Sequence, residues 1–319
     1  MADRNSNNYK IAIVAEANYG AQNKVVTNVG GAVYFDDKLE WNNDPITVER
    51  ARKKNSLYKA EDRMKITGTK VSGTLSGDLT DLHEILLQAH FDDTASPYLY
   101  AVTLPTTKSY NVYQLYLDGT GACTHYDVLV GCVFNPLTIT GEANGIIQYS
   151  CTIDAADYSQ DVANSSGEAI TLTSGIPITG VPFLFGDVTA STGLSHTAIN
   201  SFSLELSKTM VDNALRYQNS LTKTNDKYTQ VGGTFSYAAI WDTSSNKQDQ
   251  SYRYNGSAIR STITLLSSGS AAIWQIDLNG VISEATRPDA DRGLFIGNYT
   301  FDLTSEVTGT FPPVSITVS

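Results

Sequence analysis

Apolar residues make up 41% of the 319-residue chain, enough for a sizeable core, while only 17% are charged, against about 25% in an average soluble protein. That excludes a charge-rich coiled coil and a polyelectrolyte disordered chain. The 33 acids outnumber the 22 bases, for a formal charge of −11, which argues against wrapping nucleic acid by phosphate neutralisation. At about 150 residues per domain the length points to two domains. No apolar run is long enough to cross a bilayer as a helix. Met1 to Lys10 is polar, without a signal-peptide hydrophobic region, and predicts a chain kept in the cytosol. Three cysteines, Cys123, Cys132 and Cys151, suit that reducing compartment better than a disulfide framework.

In chain order, the first marked feature is basic. Glu49 to Lys65 carries seven bases against three acids, a local +4 that leaves −15 on the remainder. Its Arg50, Arg52, Lys53, Lys54, Lys59 and Arg63 are candidates for docking onto an acidic neighbouring copy, where opposite charge steers association. A solvated loop ranks second and DNA contact third. Lys65 to Leu75 alternates imperfectly, with glycines at positions that suit bulges or close contacts. Leu79, Leu82, Ile85, Leu86 and Ala89 then fall at helical spacing. Asp78 or Thr80 caps this helix, and Asp92-Asp93 and Pro97 lie beyond its end.

Tyr98, Tyr100, Tyr110, Tyr113 and Tyr116 read as strand residues with one wet edge, with subunit contact as the second reading. Leu137–Thr140 and Ile146–Tyr149 flank Asn144-Gly145 and predict a hairpin. Val181 to Gly186 is apolar enough for a buried strand. Ser201 to Ser207 alternates cleanly, with Phe202, Leu204 and Leu206 on one face, and Asn298 to Thr304 does the same. Tyr237 to Asp242 reads as strand. The fold class is therefore mainly β with one short flanking helix.

The two halves echo each other. Val71-Ser72-Gly73-Thr74-Leu75-Ser76 is matched by Val231-Gly232-Gly233-Thr234-Phe235-Ser236. Tyr113–Leu117 has a counterpart in Ser261–Leu265, and Ile147–Asp154 in Ile296–Asp302, in the same order. The division that follows is a first unit at 1–158 with an N-terminal arm and the basic loop, a linker and opening strand at 159–197, and a second unit at 198–319.

Two stretches resemble the tail tube proteins of tailed bacteriophages. One runs from Ile66-Thr67-Gly68 through Gly73–Gly77 into the short helix at Leu79–His90. The other runs from Pro182–Asp187 through Ile199–Leu206 to Val231–Ser236. The resemblance covers most of residues 60–305 and implies two tandem tube-type β-sandwich or barrel units. It implies self-association into rings, three chains with pseudo-six-fold symmetry rather than six, stacked into a hollow tube with other tail proteins. Double-stranded DNA passes through without sequence-specific binding, and the chain does not insert in a membrane. The implied location is the virion tail, after assembly in the host cytoplasm.

No catalytic or metal-binding motif in the sequence competes with this resemblance. Cys123, Cys132 and Cys151 lack CxxC spacing, and there is no HExxH. His83 and His90 lie about 10 Å apart along a helix, too far for one metal ion, so with His125 and His196 they read as structural. Neither a P-loop nor a GxGxxG occurs, and Gly73–Gly77 has its serine in the wrong place for a nucleophile elbow. Adjacent carboxylates such as Asp36-Asp37 and Asp92-Asp93 suit turns better than acid–base work. The expectation is a structural protein with no catalytic residue and no cofactor. The alternative is a carbohydrate-binding β-sandwich of a tail tip or cell surface.

Overall fold

A computed structural model describes residues 9–17, 19–20, 33–49, 64–100, 108–142, 145–164, 178–186, 199–211, 227–240, 259–267, 272–286, 289–291, 294–305 and 312–319. The six docking candidates Arg50, Arg52, Lys53, Lys54, Lys59 and Arg63 lie outside these residues, as does His196.

The described chain is mainly β, with one short α-helix. The elements are β1 (Tyr9–Ala15), β2 (Val33–Phe35), β3 (Lys38–Glu49), β4 (Met64–Asp78), α1 (Glu84–Phe91), β5 (Tyr98–Leu99), β6 (Tyr110–Leu117), β7 (Cys123–Glu142), β8 (Gln148–Ala155) and β9 (Asp157–Ala163). There follow β10 (Ile178–Gly186), β11 (Ile199–Val211), β12 (Lys227–Ile240), β13 (Ile259–Ser267), β14 (Ala272–Ala285), β15 (Asp289–Asp291), β16 (Leu294–Leu303) and β17 (Val314–Val318). Their pairings are antiparallel and join them in one large sheet system.

The long strand β7 serves two sets of partners. Its first half pairs with β6 on one edge and β9 on the other. From Val133 onward it pairs with β8, with a register shift between Phe134 and Leu137, and Leu137–Glu142 also pairs with β11. Strand β14 is divided in a similar way. Its first half lies between β13 and β17, and from Gly280 onward it pairs with β16.

One array thus runs β3-β4-β8-β7-β11-β12-β16-β14. Its inward face is apolar, as the alternation in the sequence requires. One row across it is Tyr149, Ile139, Leu204, Phe235, Phe301 and Ile282, all buried.

The alternation expected at Ser201–Ser207 is observed, with Phe202, Leu204 and Leu206 buried. The hairpin also forms: Leu137–Thr140 pairs with Gln148–Cys151, and Gly145 donates its N–H to Glu142 O at 3.0 Å. Tyr237–Ile240 is strand within β12, as expected, with Trp241 and Asp242 outside the described residues, and Val181–Gly186 is strand within β10. The bulge in the glycine-bearing segment falls where Ile46 faces Gly68 and Thr47 faces Ile66.

The helix is shorter than its stripe. Asp81–His83 forms a 3-10 turn, and only Glu84–Phe91 is α-helical. Leu79, Leu86 and Ala89 of the stripe are buried, while Leu82 and Ile85 are half-buried and pack on the core. Leu87, His90 and Phe91 are buried too, so the helix is enclosed on more than the predicted face.

Four of the five tyrosines correct the wet-edge reading, while Tyr116 is half-buried with its hydroxyl donating to Asp127 Oδ2 at 2.8 Å. Tyr98, Tyr100, Tyr110 and Tyr113 are at most 3% exposed. Burial pushes the Tyr98 hydroxyl up to about 12, helped by its bond to Glu84.

Candidate functional site

The outward face of the eight-strand array is polar along the registers that cross it. Residues directly opposite in an antiparallel register point to the same side, so the registers define rows. One row is Asp78, Gln148, Thr140, Ser203, Ser236, Thr300 and Glu284. The next is Lys38, Ser76, Ser150, Thr138, Glu205, Thr234 and Asp302. Neighbours within a row bond each other: Gln148 Nε2 donates to Asp78 Oδ1 at 3.3 Å and Ser236 Oγ to Thr300 Oγ1 at 3.4 Å.

Charge on this face is one-sided. Glu40, Asp44, Asp78, Glu142, Glu205, Glu284 and Asp302 are exposed, against the exposed Lys38 and Lys70. Lys38 leans on Glu40 at 2.5 Å, and that hydrogen bond raises its pKa. An open groove of about 310 Å³ runs past Glu40, Trp41, Ser72, Thr74 and Thr152, and a second of about 380 Å³ past Asp36, Lys38, Ser76, Asp78 and Gln148. Hydroxyls and carboxylates along open grooves repel a polyanion and offer no enclosed site for a small ligand.

Among the described residues the array has two edges without a partner strand. Among the described residues β3 pairs only with β4, and the Val281–Ala285 part of β14 pairs only with β16. An unpaired strand edge is a template for another strand.

Two buried polar nodes lie beneath this face. In the first, Asp37 Oδ2 accepts from His83 Nε2 at 2.9 Å and from Tyr149 OH at 2.5 Å. His83 Nδ1 accepts from Thr80 N at 2.9 Å, which fixes the tautomer. Gly77 makes room for this carboxylate, since a Cβ there would meet Asp37 Oδ1 at 2.0 Å.

In the second node, Asp92 Oδ2 accepts from Lys208 Nζ at 2.7 Å with both side chains fully buried. His90 lies close by, its Nδ1 3.3 Å from Phe134 O and its Nε2 2.7 Å from Tyr100 OH. Burial holds His90 well below the ordinary histidine range, and the Lys208 charge adds to that.

Asp92 lies at the turn that ends α1, as the sequence predicts, and Asp36-Asp37 forms the two-residue link between β2 and β3, yet Asp37 and Asp92 are buried and bonded. Neither bond partner was legible: Tyr149 and Lys208 lie 112 and 116 residues away. The one signal for Lys208 was its place in the inward series Leu204, Leu206, Lys208. The three cysteines are free and buried, and burial raises each thiol. Among the described residues no group of three or more His, Cys, Asp or Glu side chains could hold a metal ion.

No protein-family model and no curated protein matches this chain.

Proposed function

We propose that the chain is a structural subunit that closes into rings and stacks into a hollow tube, the tail tube of a tailed bacteriophage. In this reading it carries no catalytic residue, and its acidic hydroxylated face lines a conduit for double-stranded DNA. A wall poor in Lys and Arg lets a polyanion slide, because it makes no counterion-releasing contacts.

The observation that carries the reading is the pairing of β7 with β11, supported by the two edges that have no partner strand among the described residues. What supports two tandem units is the recurrence of partners. β3–β4, β4–β8, β6–β7, β7–β8, β7–β9 and β1–β6 recur in the same order as β11–β12, β12–β16, β13–β14, β14–β16, β14–β17 and β10–β13. The echoed Gly73 and Gly233 face Trp41 and Leu206 in these registers. A Cβ at either would crowd a glutamate carbonyl, Glu40 O at 2.9 Å or Glu205 O at 2.3 Å.

With β3 equivalent to β11 and β14 to β7, the β7–β11 contact is the prototype of the contact between chains. Transferring its register sets Trp41 of one chain opposite Ile282 of the next, Glu40 opposite Glu284, and Leu39 opposite Ala285. Such a contact is head-to-tail and closes when the rotation permits. Three chains give 24 strands, and at about 4.8 Å per strand the barrel is at least about 37 Å across before strand tilt widens it.

Negative-stain microscopy tests the tube, with rings or filaments expected. A Glu40→Cys/Glu284→Cys variant tests the joint. Oxidation should yield covalent dimers and trimers and nothing larger from isolated rings. Only monomers, with no rings in the micrographs, would overturn the reading. A ladder ending at six would replace the three-chain ring with a six-chain one.

A further inference from the structure

We propose that Lys208 and Asp92 join in an intramolecular isopeptide bond, formed by the folded chain itself, that staples β11 to the end of α1. This goes beyond the tube reading and does not depend on it.

Lys208 sits on the inward face of β11, where alternation calls for an apolar residue after Leu204 and Leu206. Its backbone is clamped in place: Lys208 N donates to Asn135 Oδ1 and Asn135 Nδ2 donates to Lys208 O, both at 2.7 Å. Asp92 follows the last turn of α1 in a left-handed conformation, φ 59°. Its Oδ2 lies 2.7 Å from Lys208 Nζ, and its Oδ1 accepts from Lys108 N at 2.8 Å. Neither side chain has any exposure. Nucleophile, electrophile and an N–H aimed at the carboxyl oxygen are therefore assembled in a dry interior, which is the arrangement acyl transfer needs.

The step balances within the chain. A proton passes from the ammonium to Oδ2, leaving an amine and a carboxylic acid. The Nζ lone pair attacks Cγ, and Oδ1 gathers negative charge against the Lys108 N–H. A second proton moves from nitrogen to Oδ2, the Cγ–Oδ2 bond breaks, and one water leaves. Nothing is oxidised or reduced and no co-reactant is needed. Burial pushes Asp92 up and Lys208 down, in each case against the attraction of its partner, which lowers the cost of the proton transfer that yields the neutral reactants. An uncharged amide also removes the desolvation cost that a buried ion pair carries on both charges.

The test is the intact mass of the purified full-length chain in denaturant, where folding of the variants does not matter. The wild type should be lighter than its sequence by one water. Proteolysis should yield a branched peptide joining the Lys208 and Asp92 segments. Lys208→Arg and Asp92→Ala should each restore the full mass. A wild type of full sequence mass after prolonged incubation would overturn the proposal, and so would a water loss that persists in Lys208→Arg.

Discussion

Strands β7 and β14 are divided alike between two sets of partners and then left in different company. Beyond Leu137, β7 has β8 on one edge and β11 on the other. Beyond Gly280, β14 has β16 on one edge, and among the described residues nothing on the other. The chain supplies the cover for one of these edges from its own second half. In the proposed tube, β7–β11 is the joint made within the chain, and the free edge of β14 is where the comparable joint to a second chain would form.

The sharpest way to break this comparison is to remove one apolar side chain from each kind of edge. Leu204 is wholly buried and faces both Ile139 and Phe235. Leu204→Ala should cost about 2–5 kcal/mol of folding stability, the range for a buried leucine that leaves a cavity. Trp41 lies on the bare edge, half-buried and tilted against Tyr158 at 5.3 Å. Trp41→Ala should cost the isolated chain less than Leu204→Ala does, while abolishing ring formation. Denaturant unfolding of each variant, with microscopy of the same samples, checks the pair. Equal losses of stability, or normal rings from Trp41→Ala, would erase the distinction.

What could be read beforehand followed from local periodicity. Ser201–Ser207 and the Asn144-Gly145 hairpin were legible because alternation and turn chemistry act over a few residues. Tyr113 was misread because its row-mates decide its burial: its register places it between Ala12 and Val128 in a small second core. The acidic face was legible only as a total of −11, since its seven carboxylates are scattered from Glu40 to Asp302 and meet through strand register. The burial of Lys208 was not legible for the same reason. Its environment is made by α1 and by Asn135, both from the other half of the chain.

His90 belongs to the joined side of the comparison, beside Lys208, and its buried state is testable by pH. Burial first and the Lys208 charge second depress its pKa, against a small opposing effect from Phe134 O. The native chain therefore keeps it neutral, while the unfolded chain takes up a proton near the ordinary value of about 6.5. Below that pH the unfolded state binds more protons, so stability falls as pH falls, with a slope approaching about 1.4 kcal/mol per pH unit. His90→Gln retains a donor for Phe134 O and an acceptor for Tyr100 OH. Its stability curve between pH 7 and pH 5 should be flatter than that of the wild type. Parallel curves would remove His90 from the acid response.

The smallest expected effect bears on the open joint. The transferred register puts Glu40 of one chain against Glu284 of the next, and like charges directly opposite on a sheet face destabilise by about 0.2–1 kcal/mol. In the joint that already exists, Glu205 faces Thr138 and Thr234 instead, so folding meets no such repulsion. Lys38, 2.5 Å from Glu40, offsets part of the charge, which sets the effect toward the low end of that range. Glu40→Gln should lower the concentration at which rings form. The gain should be largest at low ionic strength and should fade as the screening length drops toward about 3 Å near 1 M salt. Glu205→Gln, on the same face but inside the covalent chain, should leave that concentration unchanged. Light scattering against protein concentration at two salt levels separates these outcomes. If Glu40→Gln and Glu205→Gln behave alike, Glu40 does not face Glu284, and the register carried over from β7–β11 is wrong.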